Sequence, residues 1–122
     1  MAIVVNKEDV PPTEEGDLTV WRLIGAAKGS AGFGASAGLV VYRQPQGDSP
    51  PEMGGAHALA EFHYVLSGQG ALLEEGQRYD LKAGDALVIQ PGRRHVMWGT
   101  AEEPLVAWYV ALTAEPAEAT RP

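Results

Sequence analysis

The sequence predicts an all-β domain built as a sandwich or barrel, and three observations predict it. Fifteen glycines and nine prolines cut 122 residues into many short segments. About nine of those segments read as strands, closely spaced and separated by turn residues. No stretch is clearly amphipathic at the helical period, so the crossover helices of a parallel sheet are missing. With 45% apolar residues the chain can bury one core, and its length leaves no room for a second domain.

Taken in order, Ala2 to Val5 reads as a short edge strand. The polar, proline-broken run from Asn6 to Asp17 reads as loop. Leu18 to Ile24 (LTVWRLI) has strand character, whereas Gly25 to Gly38, rich in glycine, alanine and serine, reads as a connector or as a flap over a cavity. Leu39 to Arg43 is a strand stopped at Pro45, and a long bend follows. Phe62 to Leu66 is the next strand. Ala71 to Glu74 and Arg78 to Leu81 form a hairpin across Glu75-Gly76. Ala86 to Ile89 and His95 to Trp98 are strands separated by the Pro91-Gly92 turn. Leu105 to Leu112 (LVAWYVAL), the longest apolar run, is expected at the centre of a sheet. The chain thus divides into an edge strand and loop at 1–17, a β domain at 18–112 and a disordered tail at 113–122.

A net charge of −7 repels phosphate backbones and anionic lipid, so neither nucleic acid nor a membrane surface is an expected partner. Cysteine is absent, which excludes disulfides, thiolate nucleophiles and sulfur-ligated metals. Any metal must be held by nitrogen and oxygen. The first ten residues carry too short an apolar run for a signal peptide or a membrane span, and a soluble cytoplasmic protein is the expectation. Phe62, Tyr64 and Trp108 on an exposed sheet face predict a homodimer.

The chemistry concentrates between Gly54 and His95, the stretch that contains all three histidines. The phrases EFHYVLSGQG and GDALVIQPGRRH there resemble the two signature motifs of the cupins, small jelly-roll barrels. The matching positions are His57, Glu61 and Gly68, then Gly84 and Gly92 with His95. The chain departs from the pattern at Gly55, where the first histidine of an HxH pair belongs, and at Ser49, Gln90 and Gly99. Carried over by position, the resemblance implies His57, Glu61 and His95 as metal ligands. Two imidazoles and one carboxylate suit iron(II), zinc, manganese or nickel, and a metal-free acid–base site is the alternative.

On one straight strand His57 and Glu61 would lie roughly 13 Å apart, so the ligand set requires a bend at Ala58-Leu59-Ala60. Glu61 and His63, two residues apart, share a strand face. His63 is either the replacement for the missing ligand or an acid–base group, with Glu61 as its catalytic partner, and Glu52 is a more distant substitute ligand. Tyr42, Met97 and Arg94 are candidate substrate contacts: Met97 shares the face of His95, and arginine at a cavity mouth suits a carboxylate. The resemblance implies enzymes as varied as cyclases, isomerases, dehydratases, lyases and dioxygenases. Non-redox carbonyl chemistry through an enolate is the reading favoured here; a metal-dependent dioxygenase and a non-catalytic binder of a sugar-like small molecule are the alternatives.

Overall fold

The structure, a computed structural model, describes residues 4–25, 34–46 and 51–112. Expectations for residues 2–3, 26–33, 47–50 and the tail 113–122 fall outside that range. Among the described residues, nine strands form two antiparallel sheets: β1 (Thr13–Glu15), β2 (Leu18–Ile24), β3 (Ala35–Tyr42), β4 (Glu61–Ser67), β5 (Gln69–Glu74), β6 (Gln77–Lys82), β7 (Ala86–Ile89), β8 (His95–Gly99) and β9 (Leu105–Leu112). The larger sheet runs β1-β2-β3-β9-β4-β7 and the smaller β6-β5-β8, the layout of a jelly-roll sandwich. No helix among the described residues is long and apolar enough to cross a membrane.

β9 lies between β3 and β4, as its unbroken apolar run predicts, and pairs with each along most of its length. The β5–β6 hairpin turns at Glu75 and Gly76, both with positive φ (48° and 86°). That combination defines a type I′ turn, in which glycine carries the second residue without a Cβ clash.

Two stretches differ from the sequence reading. Val4 and Val5 are not in a strand, and Thr13–Glu15, expected as loop, is one. Tertiary partners outweigh weak local propensity there: Glu15 pairs with Arg22 at 2.9 Å, and Glu14 accepts from Thr19 at 2.8 Å and pairs with Arg43 at 3.3 Å. Likewise Ala35–Gly38 extends β3 rather than forming a connector. Small residues with little strand preference are held there by backbone pairing to β2 on one side and β9 on the other.

The core fills the space between the sheets. Val65, Ile89 and Leu105 from the larger sheet pack on Leu72, Leu81 and Met97 from the smaller, all buried. A second cluster of Val20, Val40 and Ala107 continues the core across β2, β3 and β9. Beyond that cluster the inner face of the larger sheet turns polar and opens into a cavity of about 320 Å³.

Candidate metal centre

His57 lies on the segment before β4, Glu61 opens β4 and His95 opens β8, so three separate stretches supply the cluster. The bend demanded by the His57–Glu61 spacing is present at Ala58 and Leu59. Two backbone hydrogen bonds strap the segment in place: Gly54 donates to the carbonyl of His95 at 3.0 Å, and Gly92 donates to that of His57 at 2.8 Å. Glycine is needed at 54, because a Cβ there would stand 2.8 Å from the His95 carbonyl oxygen. The strap brings the rings of His57 and His95 to a centroid separation of 5.1 Å.

One ligand atom from each of His57, Glu61 and His95 lies within 4.8 Å of the others. Bonds of about 2.1 Å would separate donors around a cation by at most about 4.2 Å, so the set closes slightly on loading. The proton arrangement favours a cation too. Nδ1 of His95 donates to the carbonyl of Arg93 at 3.1 Å, which leaves Nε2 of the ring as its free lone pair. Burial alone would raise the Glu61 carboxyl, but the hydrogen bond from His63 and the charges of His63, His57 and His95 outweigh it and hold the group below its ordinary value. Glu61 is therefore ionised at neutral pH. The residues present fit a divalent cation held by two nitrogens and one oxygen.

Glu61 divides its oxygens. Oε2 faces Nε2 of His57 at 3.5 Å, while Oε1 accepts from Nε2 of His63 at 2.7 Å. His63 lies outside the three-residue cluster, its side chain only 2% exposed, and its Nδ1 is buried with no partner among the described residues. Its geometry is that of a group that holds a ligand in place. Glu52 is likewise outside the cluster.

Of the expected substrate contacts, Tyr42 lines the cavity, and burial, with the nearby charge of Glu61, pushes its phenol far above the ordinary value. Met97 and Arg94 do not line it. Met97 shares the face of His95 as strand alternation predicts, but two residues further along that face is already core. Arg94 is exposed, its backbone tied to Glu75 by the bond from Arg94 N to Oε2 at 3.0 Å. Its neighbour Arg93 reaches Glu74 at 3.6 Å. Sequence reading missed Glu15, Arg22, Ser36 and Tyr109, all of which line the cavity. A signal for Arg22 was present: it follows Leu18 and Val20 at steps of two, on the inward face of β2.

The protein is a two-sheet jelly roll in which two histidines and a carboxylate converge at a cavity in a set that could hold a metal ion. The family model of the cupin domain matches residues 39–112, and the chain belongs to that family. No match was found among curated proteins. Solved structures of similar fold include the cupin domain of Schizosaccharomyces pombe Cnp3, 14% identical, with a TM-score of 0.69 over 88% of this chain and 71% of that one. A predicted oxalate decarboxylase from Thermotoga maritima is 18% identical, with a TM-score of 0.72 over 92% of this chain and all of that one. The iron(II) form of HppE with an alternative substrate is 14% identical, with a TM-score of 0.74 over 91% of this chain and 60% of that one.

Proposed function

We propose that this chain is a metal-dependent enzyme that binds one divalent cation through His57, Glu61 and His95 and acts on a carbonyl-containing small molecule. The reaction class is isomerisation, cyclisation or dehydration through an enolate. The convergence of the three ligand atoms, with Nε2 of His95 left free by the bond to Arg93, carries the reading. A cation bound there polarises a carbonyl oxygen and stabilises negative charge building on it. The substrate's α-proton needs an acceptor, and His63, whose Nδ1 has no partner among the described residues, is the group proposed to take it. His63 holds Glu61 through Oε1, so the carboxylate keeps its other oxygen for the site. Tyr42, kept protonated by burial, donates to an oxygen rather than taking a proton.

Metal analysis of protein purified without added ions tests the site: we expect about one divalent ion per chain, lost in His95→Ala. Failure of the wild-type protein to take up zinc, iron, manganese or nickel would falsify the reading. A dioxygenase is the second reading, favoured by the donor set itself, which suits iron(II), and supported by the iron(II)-bearing HppE of similar fold. Iron-dependent oxygen uptake with substrate decides for it; turnover without oxygen decides against it.

The protein is further proposed to dimerise through the outer face of the larger sheet. Phe62, Tyr64, Leu66, Val88 and Trp108 each stand 37–50% exposed there, and Tyr64 is the register partner of Trp108. Sedimentation should show a dimer that Tyr64→Lys dissociates; a wild-type monomer at every concentration sinks the proposal.

A further inference from the structure

Arg22 breaks the pattern of its strand. Leu18, Val20 and Arg22 occupy alternate, inward positions of β2, and all three line the cavity. The first two belong to the core region, yet the third is a charged residue, the only lysine or arginine that lines the cavity among the described residues. Its side chain is about half exposed, so the charge stays hydrated at the cavity and within reach of an entering anion.

The sheet register shows where this cation stands. Arg22 is the partner of Gly38, Gly38 of Tyr109, and Tyr109 of His63, so the four make one row across β2, β3, β9 and β4. One end of the row is Arg22; the other is the residue that holds Glu61. At about 4.8 Å per strand, the row spans roughly 14 Å between backbones. Glycine is required at 38 by the backbone of β2, since a Cβ there would collide with the Trp21 carbonyl oxygen, and it also makes room for the Tyr109 ring, whose Cε2 would lie 3.0 Å away. Ser36, on the same face of β3, adds a hydroxyl to the cavity lining.

Arg22 is paired with Glu15 at 2.9 Å, and both side chains are about half exposed (56% and 47%). A pair so placed is worth little, about 0–1 kcal/mol; it rests on one contact, Nη2 of Arg22 to Oε2 of Glu15, and a ligand carboxylate can replace Glu15 with the bidentate geometry that the guanidinium favours. We propose that Arg22 is the anion-recognition residue of the cavity and that its ligands are small organic acids, with oxygens toward His57, Glu61 and His95 and a carboxylate at the far end on Arg22. Glu15 is the resting counter-ion that such a ligand displaces. The inference rests on the metal-site reading.

The test uses zinc-loaded protein and calorimetric titration with unbranched dicarboxylates from malonate to adipate, each compared with its own monoamide. For at least one chain length the diacid should bind about tenfold more tightly than the monoamide. Arg22→Gln should abolish that preference and leave zinc affinity unchanged, while Glu15→Gln should tighten diacid binding several-fold. No preference at any length, or a preference that survives Arg22→Gln, overturns the assignment and spares the metal site. An unchanged diacid affinity in Glu15→Gln overturns the counter-ion role. Failure of the wild-type chain to bind any of zinc, iron(II), manganese or nickel overturns both readings; if another of these ions binds in place of zinc, the titrations are run with that ion.

Discussion

The two ends of the inner face of the larger sheet are built from the same four strands and have opposite chemistry. At one end stand Val65, Val40, Val20, Ala107 and Leu105, buried and apolar. At the other, two to four residues along each strand, stand Glu61 and His63, Ser36, Arg22 and Tyr109. The three-stranded sheet covers the first end, and its Leu72, Leu81 and Met97 complete a dry core. The second end opens to solvent, so its polar groups pair with one another or keep contact with water; Nδ1 of His63, buried and without a partner among the described residues, is the exception. Cover decides which positions of one continuous surface must be apolar and which are free to carry chemistry.

Substitutions at the two ends should therefore separate stability from metal binding. Leu105→Ala, at a fully buried position, should cost about 2–5 kcal/mol of stability by chemical denaturation, with zinc affinity unchanged in the fraction that remains folded. His57→Ala, at the open end with its side chain 54% exposed, should leave metal-free stability within about 0.5 kcal/mol. It should weaken zinc binding by at least about a hundredfold. Equal stability losses in the two variants would erase the contrast.

Gly55→His sharpens the same comparison. A Cβ at Gly55 meets nothing within 4 Å, and the position is where the signature motif carries its first histidine. Metal affinity should rise about tenfold, the scale on which an added site interaction acts, and stability should barely move. Weaker binding would mean that a fourth imidazole cannot reach the set.

The smallest effect is that of pH on the metal-free protein. The Glu61 carboxyl is held below its ordinary value of 4.5 in the folded chain. The folded state therefore favours the ionised form, and the resulting stability is fully present above that value and lost as pH falls through the lower folded one. Denaturation curves should show the acid-side loss reduced in Glu61→Gln. An identical loss in both proteins would remove Glu61 from the acid response.

Much of this was legible in the residues. Leu18–Ile24, Ala86–Ile89 and Leu105–Leu112 are strands at the predicted bounds, because each is an apolar or β-branched run closed by strong turn formers. The three side chains that converge, His57, Glu61 and His95, could be picked out from the spacing His57-x3-Glu61-x6-Gly68 and from the phrase that ends at His95. β1 and the first half of β3 could not be read, since apart from Thr13 their residues have little strand preference; β1 is held by pairing to β2 and the start of β3 by β9, distant in sequence. Arg94 and Met97 were placed near the cavity by proximity to His95, but local alternation reports only the face of a strand, not how far along it the cavity ends.

By itself the sequence determined the all-β class, the exclusion of sulfur chemistry, and the residue types available to hold a cation. Those properties follow from composition and from period-two patterning, which act over a few residues. Only the tertiary structure decided that Glu61 is shared between His57 and His63, and that Arg22 stands in the row that ends at His63. Contacts of that kind depend on strand order and on which sheet lies over which end, and both are set by packing between segments tens of residues apart.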